Sequence, residues 1–179
     1  MQDEDSALLE TESSSEMRAA CAQPSRILRP DQSVLLPASC QIPPVNPNCF
    51  VCGPHNRSGL HLIFERAANG VEAIWVPDDT SESFQDTVHG GVITSVLDEA
   101  MSKAIMACGW QALTVCVNVR FHSRTSPGER LRVRGWIVQR RKRRILTEAD
   151  LFSDSTIERA HAWATFLIPA GSPVRNRDA

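Results

Sequence analysis

The chain has 179 residues, of which 42% are hydrophobic and 22% charged, and its formal net charge is -2. That length supports one domain with tails, and the near balance of charge excludes a global field that would draw nucleic acid or an anionic membrane. No apolar run reaches the roughly 18 residues of a membrane span, and the acidic start Met1-Gln2-Asp3-Glu4-Asp5 is opposite in charge to a targeting peptide, so a cytoplasmic protein without membrane contact is expected.

Residues 1–45 are rich in Ser, Glu, Gln and Pro and are expected to form a disordered or loosely docked arm. A single domain is expected over 46–170, followed by a flexible tail over 171–179. From Gly59 onward Leu60, Leu62 and Phe64 alternate with His61, Ile63 and Glu65, and Val71, Ala73 and Trp75 alternate beyond Asn69-Gly70. This predicts a hairpin. Pro77 to Thr87 reads as a polar loop. The stretch from Val92 to Cys108 then places Val92, Ile93, Val96, Leu97, Ala100, Met101, Ala104 and Ile105 at helical spacing, and its Ala and Met content favours helix over strand. Gly109 is placed to cap it. Four strands follow at Leu113–Phe121, Leu131–Gln139, Ile145–Phe152 and Thr156–Ile168. Two strands, one long buried helix and four strands predict an α+β layer, an antiparallel sheet wrapped around the helix.

Two features inside this pattern carry chemistry. Gly90-Gly91 opens the helix, and glycines there let a ligand approach the free N–H groups of the first turn, which bear about half a positive charge. That end suits a carbonyl oxygen developing negative charge. His89 just before it can orient the loop, donate a hydrogen bond or serve structurally. Asp98, two turns further on, needs a partner or a use, because burying an ionised carboxylate is costly. Glu99 points about 100° away round the helix, with Lys103 at i+4 as its natural partner.

His89-Gly90-Gly91 followed after six residues by Asp98 resembles the signature of PaaI-type acyl-CoA thioesterases of the hotdog superfamily. Cys49-Phe50-Val51-Cys52-Gly53 and Gly59-Leu60-His61-Leu62 look like the lead-in to the first strand of such proteins. The likeness covers about residues 48–169. It implies a hotdog fold, hydrolysis of an acyl-CoA or other acyl-carrier thioester, and self-association into dimers or tetramers whose sites are shared between subunits. Coenzyme A enters as part of the substrate, with no separate cofactor and no metal. Carried over, the resemblance assigns carbonyl polarisation to the Gly90 amide, a loop role to His89, base or nucleophile to Asp98 and positioning of water to Thr114. Gly91, Gln85, Asn118, Arg120 and Arg143 are candidate substrate contacts. The family's Asn ahead of the His-Gly-Gly loop is missing here, with only Gln85 nearby, so a catalytically silent acyl-binding protein is the alternative. A hotdog dehydratase needs a His paired with a carboxylate at a spacing that His89 and Asp98 do not have.

Arg140-Arg141-Lys142-Arg143-Arg144 falls at a predicted hairpin turn, where it either meets coenzyme A phosphates or keeps a sheet edge soluble. Cys49-x2-Cys52-x2-His55 has donor types suited to zinc, with Cys40 or His61 as a conceivable fourth, but one Cys-x-x-Cys predicts structural thiols. Six cysteines in a chain this long do not suggest a disulfide scaffold, and Cys108 and Cys116 are expected as reduced thiols in apolar surroundings. The four tryptophans, Trp75, Trp110, Trp136 and Trp163, are expected in the core or at a subunit interface, with Trp110 a candidate for lining an acyl channel.

Overall fold

The computed structural model describes residue 42 and residues 46–170. The expected arm over 1–45 and tail over 171–179 therefore fall outside the described residues, residue 42 apart. Among the described residues are eight strands and one α-helix: β1 Glu65–Ala67, β2 Gly70–Trp75, β3 Glu82–Phe84, β4 Thr87–Val88, α1 Gly90–Ala107, β5 Leu113–Phe121, β6 Leu131–Arg141, β7 Arg144–Ser153 and β8 Glu158–Leu167. Six strands form one sheet in the order β1-β2-β6-β7-β8-β5, while β3 and β4 form a small ribbon. Every pairing is antiparallel. This is the expected α+β arrangement, with the helix lying across one face of the sheet and packing most extensively on β6.

The period-2 and period-3.6 patterns explain the core. From α1 come Ile93, Val96, Leu97, Ala100, Met101, Ala104 and Ile105, and from the sheet Leu131, Val133, Ile137, Ile145, Leu151 and Phe166, all buried. Close approach of helix and sheet depends on Gly135 of β6, where an added Cβ would lie 2.4 Å from the Ala100 carbonyl oxygen. The helix ends in a Schellman pattern: Gly109 has φ +78, its N–H donates to the Met106 carbonyl, and the Trp110 N–H donates to the Ile105 carbonyl.

Two expectations about elements need correction. The strand pattern from Gly59 gives a ladder only at Glu65–Ala67, although the alternation is real in burial: Leu62 and Phe64 are buried and Ile63 is 76% exposed. The supposed loop before the helix contains a short 3-10 turn, Asp79–Ser81, and the β3–β4 ribbon. Asp78 caps that turn, accepting from the Thr80 N–H at 3.1 Å and from its hydroxyl at 2.6 Å. These hydrogen bonds hold its carboxyl below the usual range.

Candidate active site

The entry to α1 is fixed from both sides. Val88 N–H donates to the Thr125 carbonyl at 2.9 Å, and His89 N–H to the Ser81 carbonyl at 2.7 Å. His89 is the N-cap, and its Nδ1 accepts the Gly91 N–H at 2.8 Å. This assigns the exposed ring a capping role with a deprotonated Nδ1, and it uses the Gly91 amide. The Gly90 N–H finds no acceptor among the described residues. A Cβ on Gly90 would lie 3.3 Å from the Phe121 ring. The open amide is therefore flanked by an aromatic edge from β5.

Asp98 lies half-buried on the stripe of α1 that also carries Gly91, Ser95 and Ser102, positions that follow one another at four, three and four residues and so share a face. Thr114 of β5 donates its hydroxyl to Asp98 Oδ1 at 2.9 Å. Their meeting depends on a bulge. Thr114 pairs with Phe166 and Cys116 with Thr165, which leaves Val115 as the extra residue. Phe166 faces the core, so Thr114 shares its inward face, whereas unbroken alternation from inward Val117 and Val119 would turn Thr114 outward. Burial pushes the Asp98 carboxyl up, the Thr114 hydrogen bond pulls it down, and the charge of Glu99 adds to the rise; the net direction is upward.

Glu99 belongs to a different cluster. It pairs with Lys103 at 3.6 Å as the spacing predicts, and its other oxygen accepts from the Cys49 thiol at 3.7 Å. Sequence reasoning missed that Lys103 is only 2% exposed, since a lysine at a polar helix position ordinarily reads as solvated. Cys49, Cys52 and Glu99 present donor atoms that converge; Asp150, Glu158 and His161 form a second such group on the sheet. Cys49, Cys52 and Cys108 are not disulfide-bonded, while Cys116 is, a correction to the expectation that it is a reduced thiol.

The remaining candidates are separated from Asp98. Asn118 and Arg120 alternate with inward-facing Val117 and Val119 and lie on the outer face of the sheet, Asn118 beside Trp163 and Arg120 beside His161. Asn118 donates to Cys116 Sγ at 3.5 Å. Gln85 occupies the exposed turn between β3 and β4, and no side-chain bond links it to Asp98 or Thr114. Arg143 sits in the β6–β7 turn, where its Nε donates to the Ile168 carbonyl at 2.7 Å. Arg140 stacks over Trp110 at 4.3 Å, beyond the C-terminal end of α1. The basic run thus lies at the end of the helix away from Gly90, with two of its arginines tied to the fold. Trp110 is half-buried beneath Arg140, Trp75 is in the core, and Trp136 and Trp163 lie on the outer face of the sheet.

The family model for the thioesterase superfamily matches residues 85–160, which spans the helix, Asp98 and Thr114. That segment is similar to the thioesterase superfamily, and the chain has the hotdog fold of such proteins. Solved structures similar to this hotdog domain include smu.793 from Streptococcus mutans UA159 bound to acetyl CoA, at 18% identity over 60% of this chain and 87% of that one, with a TM-score of 0.57. The E. coli PaaI protein is similar at 14% identity over 61% and 80%, TM-score 0.57. A hypothetical thioesterase protein from Streptococcus pneumoniae TIGR4, solved with coenzyme A, is similar at 15% over 60% and 87%, TM-score 0.57. That protein has also been solved with an aspartate and with a threonine replaced by alanine. At such identities the likeness establishes the fold alone. No curated protein matches the chain significantly. Among the described residues no helix is long and apolar enough to cross a membrane.

Proposed function

We propose that the protein hydrolyses an acyl-CoA, or another acyl-carrier thioester, to the free acid and thiol. The observation that carries this reading is the half-buried Asp98 carboxylate, its pKa raised by burial and its oxygen fixed by Thr114, on a helix whose first amide is open. In the proposed reaction the Gly90 N–H receives the thioester carbonyl oxygen and stabilises the negative charge that develops there. Water bound at the Thr114 hydroxyl attacks the carbonyl carbon while Asp98 takes its proton. As the C–S bond breaks, Asp98 returns that proton to the departing thiolate sulfur. A thioester is already an activated acyl donor, so this route needs no serine nucleophile.

Helix geometry argues that the reacting groups come from two subunits. Eight residues of α-helix separate Gly90 from Asp98 by about 12 Å along the axis, too far for both to engage one carbonyl group. A second copy placed against the exposed edge strand β5 would bring its own helix start toward Asp98, and β5 offers exposed Leu113 and Phe121 for that contact. The proposed active form is therefore a dimer or a pair of dimers. The coenzyme A moieties of the smu.793 and S. pneumoniae structures support the proposed carrier.

The deciding measurement is thiol release from acetyl-CoA and from longer and aromatic acyl-CoA thioesters. Asp98→Asn keeps the side chain's shape but removes the base, and turnover is expected to fall at least about 100-fold with the circular dichroism spectrum unchanged. Turnover within a few-fold of the unmodified protein would overturn the role of Asp98. Tight binding of the thioesters by the unmodified protein without thiol release would establish a silent acyl-binding protein instead.

A further inference from the structure

The segment before β1 brings two thiols to Glu99 of α1, Cys52 buried and Cys49 half-buried. Cys52 is 6% exposed and Lys103 2%, and the donor atoms of Cys49, Cys52 and Glu99 all lie within 4.8 Å of one another. The two cysteines are held by a tight turn in which Gly53 N–H donates to the Cys49 carbonyl at 2.9 Å. Only glycine fits after Cys52, since a Cβ at Gly53 would lie 2.4 Å from Cys49 N and 2.5 Å from Cys49 O. Further backbone bonds from Leu60 to Phe50 and from Leu62 to Val51 fasten the turn to the chain leading into β1. The two thiols are thereby presented from one preorganised turn.

We infer that Cys49, Cys52 and Glu99 form a structural site for a zinc-like divalent cation, clamping the segment before β1 onto the catalytic helix one residue from Asp98. Two sulfurs and one carboxylate oxygen are a donor set suited to zinc, and ligands around one tetrahedral zinc lie about 3.3–3.8 Å apart, from bonds of roughly 2.0–2.3 Å. The donor atoms, all within 4.8 Å of one another, already approach those separations. Binding releases the thiol protons to solvent and leaves a fourth position for a solvent molecule. Charge supports the assignment. Two thiolates and a carboxylate around a divalent ion carry one net negative charge, and the buried Lys103 ammonium, 3.6 Å from Glu99 Oε1, neutralises it. His55, the donor suggested by spacing, is exposed and outside the converging group, and His61 is engaged through Nδ1 with the Gly53 carbonyl at 3.0 Å.

The test uses the full chain, purified under reducing conditions and stripped with a chelator, then titrated with zinc chloride against a competing dye and separately with cobalt chloride. One equivalent of zinc per chain is expected, with a thiolate-to-cobalt charge-transfer band. Cys49→Ser, Cys52→Ser and Glu99→Gln should each weaken zinc binding at least about tenfold. Should the serine variants fail to fold, alkylation of the unmodified protein with peptide mapping replaces them: zinc is expected to protect Cys49 and Cys52 and leave Cys108 unaffected. Absence of the cobalt band, unprotected Cys49 and Cys52 in the presence of zinc, or unweakened binding by the folded serine variants would each overturn the site.

Discussion

At the scale of the residue, Thr114 is the informative neighbour of Asp98. Its hydroxyl bonds to one carboxylate oxygen at 2.9 Å, which favours the ionised form and opposes the upward push of burial. A base must be ionised to work, so kcat/KM should rise with pH through the Asp98 pKa. Thr114→Val removes the hydrogen bond, and the acidic limb of the pH profile is expected to move to higher pH by on the order of one unit, equivalent to the worth of one such bond. Thr114→Ser should restore it. An acidic limb that stays in place in the valine variant would show that Thr114 does not tune Asp98. His89 illustrates a different outcome at this scale: its type and position suggested chemistry, and the structure uses its ring to cap the helix. That cap consumes the Gly91 amide and so singles out the Gly90 amide as the open one.

At the scale of the element, the placement of Asp98 depends on how closely α1 lies on β6. The contact is backbone to backbone: Gly135 faces the carbonyl of Ala100, two residues from Asp98. An alanine at 135 cannot be accommodated by a side-chain rotation, because the atoms it meets at 2.4 and 2.5 Å are the carbonyl oxygen and carbon of Ala100. Gly135→Ala is expected to cost on the order of 3 kcal/mol or more, as overpacking that must move a helix does. Gly128→Ala is the control. Nothing lies within 4 Å of its added Cβ, but φ is +75. Its cost is conformational only, about 1 kcal/mol. Urea unfolding of both variants separates the two effects, and equal losses would contradict the packing argument.

At the scale of the whole molecule, legibility followed the strength of the periodic signal. α1 and β5 to β8 were readable to within one or two residues, because each buries one regular face. The β3–β4 ribbon was not, since Glu82, Ser83 and Phe84 are all exposed and its composition matches a polar loop. Asp98 and the Gly90 amide could be named from the sequence. That Thr114 would reach Asp98 could be suggested only by resemblance, because the bulge at Val115 that turns it inward has no glycine or proline to announce it.

The outer face of the sheet was equally hidden, for it arises from register across three strands: Trp136, Glu148 and Trp163 lie in one row, Arg134, Asp150 and His161 in the next. Glu148 is 2% exposed, and burial pushes its carboxyl from an ordinary 4.5 up to about 7, against the pull of the His161 charge. Burial opposes the charged His161 ring, but its 2.6 Å bond to Asp150, with the charges of Asp150, Glu148 and Glu158, raises its pKa overall. Both shifts act in one direction on stability. The folded chain holds a proton on Glu148 that the unfolded chain has released, so stability falls as pH rises from about 4.5 to about 7 and the loss is complete above that. The His161 contribution is full below its ordinary 6.5 and disappears as pH rises through its raised value. At about 1.4 kcal/mol per pKa unit, Glu148 contributes a decline on the order of 3 kcal/mol at most. Glu148→Gln cannot titrate and should flatten the profile between about pH 4.5 and pH 6.5, leaving a shallower decline above it from His161. Chemical denaturation across that range reads the slope directly, and a glutamine variant as steep as the unmodified protein would show that Glu148 is not the group that carries it.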